Sequence, residues 1–223
     1  MFLAGMIRAD LANSVRELEP RAVSLCMWHW HRLQHVLRYV AGTLDICIHY
    51  GWGGKDINAA DGELLVDHGD HGDSNWGTDS LTCRSVTGYL LLFNGSPIAW
   101  CSKLQGAVTL SSSVAEWTGN GIWHAPLLFP SRHSGGDRHT TGSDVLSWFC
   151  YNRGAIQAGS ITCFNGRTKH VNMKLKCTRE YVDQGLLHVE YVPTSKQLAD
   201  ILTESLRKSL TSDFVHSVLS CRE

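Results

Sequence analysis

Thr87-Gly-Tyr-Leu-Leu-Leu-Phe93, then Asn94-Gly95, then Ile98-Ala-Trp-Cys101 is the stretch that decides the fold class. The first run is rich in residues that suit a pleated, half-buried surface. Asn-Gly supplies the positive backbone angles of a two-residue hairpin turn. Ile98 to Cys101 reads as the return strand. Working outward, Ile7, Leu11, Val15 and Leu18 recur at helical spacing, and residues 24 to 41 repeat the pattern with Leu33, Val36, Leu37 and Val40. Gly42 is placed to end that second helix. Ile46, Ile48 and Tyr50 alternate as a strand. Residues 51 to 63 carry four Gly and read as a loop, and Leu64 to Val66 opens a strand leading towards Asp73. Ser111 to Ser113 can cap a helix carrying Glu116. Val145 to Tyr151 and Leu186 to Val192 read as strands, and Lys169 to Val182 and Lys196 to Leu206 as helices. Strands and helices mixed in this order predict a mixed α/β (α+β) domain.

Composition narrows the function classes. The chain has 223 residues, 43% hydrophobic and 18% charged, with a formal net charge of −1. That is enough apolar material for a core, and it gives no overall basic field to draw nucleic acid. A nucleic-acid role therefore rests on a local patch. Arg167, Lys169, His170, Lys174, Lys176 and Arg179 form one, as phosphate contacts or as a solvated face. The eight Cys show no CxxC pair and read as free thiols of a reducing compartment. No secretory leader and no run long enough to span a membrane is expected, so the expected location is intracellular, cytoplasmic or nuclear.

Three acids lie in distinctive settings. Asp73 opens Asp73-Ser-Asn-Trp-Gly-Thr-Asp79. Glu116 ends Leu110-Ser-Ser-Ser-Val-Ala-Glu116. Asp200 sits in Val192-Pro-Thr-Ser-Lys-Gln-Leu-Ala-Asp200-Ile-Leu-Thr203. Acids far apart in sequence that converge in space are what a two-metal phosphodiester-cleaving site requires. Other candidates read more plainly. Asp67, His68, Asp70 and His71 have the composition of metal ligands, but their Gly-interrupted run reads as a solvated loop. His31 and His35 lack a third ligand and read as a helix surface. Cys83, Cys101, Cys150, Cys163 and Cys177 read as separate thiols. Trp28, Trp30, Trp76, Trp100 and Trp148 read as core packing, with base stacking as the alternative.

Taken together, these segments resemble the C-terminal end of the Pol polyprotein of copia-type LTR retrotransposons: the tail of the reverse transcriptase followed by an RNase H domain. Further segments carry the resemblance, namely Arg8 to Val15, His29 to Asp45, Arg84 to Tyr89, Asn94 to Lys103, Gly166 to His170 and Val192 to Thr203. It implies a helical reverse-transcriptase remnant over 1–45, an RNase H-like domain over 46–206 and a helical tail over 207–223. The implied fold is a central mixed sheet flanked by helices, with the acids meeting at one sheet edge. The implied catalytic and metal-binding residues are Asp73, Glu116 and Asp200, holding two Mg²⁺ ions. The implied substrate is the RNA strand of an RNA/DNA hybrid, held partly by Arg167, Lys169, His170, Lys176 and Arg179. The rest of the Pol polyprotein is the other implied partner.

Two departures from the family pattern argue for impairment. The fourth acid of the family falls on Tyr151, a phenol that is neutral at pH 7 and larger than Asp. Asp144 lies roughly 23 Å away along a strand and on the opposite face, so it is no substitute. Residues 119 to 148 replace an expected amphipathic helix with Pro126, Pro130, Gly and scattered His, and an interior proline alone costs ~3 kcal/mol. A local frameshift followed by restoration explains this pattern, in a decayed copy of the element. The alternatives are a catalytically dead nucleic-acid-binding relic or a non-functional pseudogene product.

Overall fold

The computed structural model describes residues 2–19, 26–48, 50, 68–79, 82–93, 95–119, 146–150, 152–153, 156, 179–180, 182–185, 187–205 and 208–221. The expected strand at 64–66, most of the expected helix over 169–182, and residues 120–145 lie outside them.

Helices come first: α1 (Phe2–Met6), a 3-10 turn (Ala9–Leu11), α2 (Ala12–Leu18) and α3 (Met27–Ala41). The short strand β1 (Ile46–Cys47) pairs antiparallel with β7 (Ser220–Cys221) near the chain's other end. The main sheet contains β2 (His68–Asn75), β3 (Val86–Phe93), β4 (Ser96–Leu104), β5 (Leu146–Cys150) and β6 (Leu187–Tyr191), in the order β4-β3-β2-β5-β6. β2 pairs antiparallel with β3 and β3 with β4, while β5 joins parallel to β2 and β6 parallel to β5. α4 (Ser112–Gly119) follows β4, and α5 (Lys208–Val218) lies near the C-terminal end. The domain is thus mixed α/β.

The hairpin forms as the sequence predicts, with Gly95 at φ +75° in its turn. Ser111 caps α4 by accepting the Val114 amide on its hydroxyl. One apolar core ties the chain's two ends to the sheet: Ala9, Leu90, Ile201, Leu202, Phe214, Val215, Val218 and Leu219 are buried together. Side-chain bonds reinforce this. The Trp100 indole N–H donates to the Ala4 carbonyl at 2.7 Å, and Arg16 donates to the Ser102 hydroxyl. Arg8 is buried in an ion pair with Asp10 and also donates to the Thr43 carbonyl and hydroxyl. This fixes the start of the chain to the end of α3.

Three expectations are corrected. The run from His68 to Asn75 is no solvated loop but the central strand of the sheet, paired on both sides. His71 is buried and stacks on Phe149 with ring centroids 4.7 Å apart. Tertiary pairing overrides the weak strand propensity of His, Gly and Asp here. The expected helix from Lys196 is instead two 3-10 turns, Thr194–Lys196 and Leu198–Leu202. Gln197 between them is extended, so the hydrogen-bond ladder of a helix cannot run through it. Finally, Trp28, Trp30 and Trp76 are exposed rather than in the core. Trp100 is half-buried against the core. His31 and His35 lie on the exposed surface of α3, as expected.

Candidate active site

Asp73 lies near the C-terminal end of β2, in the middle of the sheet and not at its edge, directly opposite Gly88 of β3. Neighbours across a ladder share a face, so Asp73 and Gly88 point to the same side. The turn carrying Asp200 packs on that side. Gly88 lets it approach: a Cβ there would stand 2.7 Å from Leu202 Cβ and 2.8 Å from Thr203 Cγ2. The Thr203 hydroxyl then donates to the Asp73 carboxylate.

Gln197 fixes the turn from its other end. Its amide donates to the carbonyls of Gly72 and Phe149, and its oxygen faces His71 Nδ1 at 3.0 Å. The segments bearing Asp73 and Asp200 are therefore bound to each other and to β5 through one buried side chain. Burial holds His71 below the usual imidazole range, partly offset by its bond to Gln197. Its neutral ring suits the packed interior.

The outcome is a cleft of about 340 Å³ lined by Asp73, Ser74, Asn75, Trp76, Ser112, Thr194, Asp200 and Glu204. Asp200 is pushed up to about 8, by burial first and then by the charges of Asp73 and Glu204. Two carboxylates in a partly dry cleft cannot both ionise cheaply, so the cleft holds a proton near neutral pH. Glu204 is a residue that sequence reading missed. It stands four residues after Asp200, its amide bonded to the Asp200 carbonyl at 3.0 Å, and that i, i+4 spacing was its only signal. Asn75 donates to Glu204 across the cleft at 3.3 Å.

Glu116 does not line this cleft. α4 reaches the cleft with its first residue, Ser112, and its Ala115 carbonyl is tied to Ser74 and Thr87 on the other face of the sheet by Gln105. Glu116 is fully buried there. The Cys150 thiol lies within the field of both acids: burial first, then Glu116 and Asp73, push it up to about 12. Glu116 and Asp73 thus both act on the end of β5, while of the three acids Asp73 and Asp200 line the cleft. Position 151 follows Cys150 and lies outside the described residues, as do Arg167, Lys169, His170 and Lys176. Arg179 is half-buried.

In kind, the donors fit a hard divalent ion, which takes carboxylate oxygen. In number they fall short: among the described residues, no three His, Cys, Asp or Glu side chains come together closely enough to hold one metal ion. The thiols of Cys26, Cys47, Cys83, Cys101 and Cys150 are free. No helix among the described residues is long and apolar enough to cross a membrane.

The raised Asp200 sets a pH dependence. Its folded-state pKa of about 8 lies above the ordinary 3.8, so the folded chain holds a proton that the unfolded chain releases. The associated stability is fully present below pH 4 and is lost as pH rises through 8. Asp200→Asn is expected to flatten that slope and to stabilise the fold at pH 8 by roughly 2 kcal/mol. Thermal melts of both proteins across this range check it.

No family model matches the chain. It is 30% identical over 217 residues to the retrovirus-related Pol polyprotein from transposon RE2 of Arabidopsis thaliana, an alignment covering 95% of this chain and 14% of that one. The chain therefore spans about a seventh of that polyprotein's length. A shorter match, 35% identical over 117 residues, is to the secreted RxLR effector protein 161 of Plasmopara viticola, covering 52% of this chain and 75% of that one. Among solved structures, the N-terminal RNase H domain of rv2228c from Mycobacterium tuberculosis aligns over 68% of this chain and 98% of its own, at 12% identity and a TM-score of 0.44. Aligned over nearly its whole length with transposon polyproteins, the chain belongs with a segment of the retrovirus-related Pol polyproteins of copia-type transposons.

Proposed function

We propose that this domain derives from a divalent-metal ribonuclease acting on the RNA strand of RNA/DNA hybrids, and that it retains an impaired form of that site. The observation that carries this reading is the cleft that Asp73 and Asp200, remote in sequence, both line, where burial first and then the charges of Asp73 and Glu204 push Asp200 up to about 8. A cation relieves that like-charge strain, which is the chemistry of a site built to hold one. When bound, a divalent ion supplies charge stabilisation at a phosphoryl oxygen. The chain's own residues do the rest. Thr203 holds the Asp73 carboxylate in one rotamer, Gln197 anchors the Asp200 turn, and Glu116 adds negative charge behind Cys150. Impairment follows from Tyr151, which contributes no ionic ligand at neutral pH. Phe2 and Met6 of α1 and Met27, Trp28 and Leu37 of α3 are exposed apolar side chains, and we assign contacts with the rest of the polyprotein to these two helices.

Calorimetric titration with Mg²⁺ tests the metal reading. One weak site, with a dissociation constant on the order of a millimolar, is expected, and Asp73→Asn should abolish it. Two tight sites would show that a further ligand completes the centre and that the domain is not impaired. Absence of any binding would remove the carboxylate pair from metal chemistry.

A further inference from the structure

Resting on that reading, we infer that Trp76 is a substrate-positioning residue whose indole packs on the ribose of the RNA nucleotide beside the phosphate at the acid pair. Trp76 follows β2 directly and lines the same cleft as Asp73, Asp200 and Glu204, yet 52% of it is exposed. A large aromatic left open in a cleft of acids and hydroxyls is out of place by composition, since such rings gain most when covered.

The ring is also held. Its N–H donates to the Thr109 carbonyl at 2.8 Å. The Thr109 hydroxyl meets the Ser85 hydroxyl at 3.0 Å, and Ser85 accepts the amide of Gly77, the next residue after Trp76. Gly77 at φ +64° makes the turn that this brace requires. Ser85 and Thr109 are themselves buried. An exposed aromatic fixed by a buried brace is a preorganised contact, which loses little freedom when a ligand covers it.

The chemistry of a hybrid selects the ribose. Paired bases are already stacked above and below. An A-like duplex presents its riboses across a wide, shallow minor groove. An indole one step from the phosphate-facing acids meets the flat C–H face of a sugar. This contact involves no phosphate, so it carries no counterion release.

The test measures binding of a labelled RNA/DNA hybrid with Ca²⁺ in place of Mg²⁺, between about 50 and 200 mM salt. Trp76→Ala is expected to bind about tenfold more weakly at every salt concentration, with an unchanged slope of affinity against salt. Trp76→Phe keeps a ring but loses the N–H bond to Thr109, so its affinity should fall between those of Trp76→Ala and the natural chain. Hybrid should quench part of the natural chain's tryptophan emission, and Trp76→Phe should lose that part. The fluorescence readout holds even if the alanine variant fails to fold. Equal affinity of Trp76→Ala and the natural chain, or quenching unaltered in Trp76→Phe, overturns the role of Trp76 and leaves the ribonuclease-derived reading standing. Failure of the natural chain to bind hybrid at all overturns both.

Discussion

Gly88→Ala should destabilise the fold by about 3 kcal/mol or more, a fall of roughly 6–12 °C in Tm for a domain of this size. The cause is contact rather than backbone strain. The added Cβ would meet Leu202 Cβ at 2.7 Å, Thr203 Cγ2 at 2.8 Å and the Ala199 carbonyl at 3.1 Å. None of these is the free end of a flexible side chain. The 3-10 turn must lift from β3, and with it go Leu202 from the core and Thr203 from Asp73. Gly95→Ala is the control. Gly95 has a left-handed backbone at φ +75° but nothing within 4 Å of a Cβ, so its cost is about 1 kcal/mol. Urea unfolding of both variants checks the ordering. Equal losses would mean that the turn does not rest on Gly88. Because the same turn carries Asp200, Gly88→Ala should also weaken Mg²⁺ binding, which Gly95→Ala should not.

Much of this arrangement was legible in the sequence. The hairpin was readable because strand propensity and the Asn94-Gly95 turn agree. The cap at Ser111 and strands β5 and β6 were readable for similar reasons of local chemistry. The central strand was not. His68 to Asn75 lacks apolar alternation, so its side chains did not signal the pairing on both sides that holds it in the sheet. The Asp200 turn resembled a helix because Leu198, Ile201 and Leu202 have helical spacing. Its geometry depends on the contacts of Gln197 to β2 and β5, which no local pattern encodes. The family resemblance located Asp73 and Asp200 within one cleft but gave no sign of Glu204 or of the open face of Trp76. It also placed Glu116 with them, whereas in the structure Glu116 stands behind the cleft, near Cys150.

Tyr151→Asp carries the second large expected effect: at least a hundredfold gain in Mg²⁺-dependent cleavage of the RNA strand. Residue 151 directly follows Cys150, whose thiol already lies in the field of Glu116 and Asp73. In the family pattern the fourth acid falls at this position, so a carboxylate there is expected to give a divalent ion one more hard oxygen ligand. A gain of about 3 kcal/mol in transition-state stabilisation corresponds to a factor near one hundred. The same substitution should tighten Mg²⁺ binding. If the new carboxylate joins the acids as a metal ligand, it should destabilise the fold in the absence of metal, because like charges then meet uncompensated. Opposite signs with and without metal distinguish a restored ligand from a simple relief of crowding, which would stabilise in both conditions.

The most direct test of the account is cleavage of a labelled RNA/DNA hybrid with Mg²⁺ by three proteins side by side: the natural chain, Tyr151→Asp, and Tyr151→Asp combined with Asp73→Asn. The account predicts little or no cleavage by the first, clear cleavage by the second and silence from the third. Cleavage by the natural chain as fast as by Tyr151→Asp would contradict the claim that the missing acid is the lesion, and cleavage that survives the loss of Asp73 would contradict the site itself.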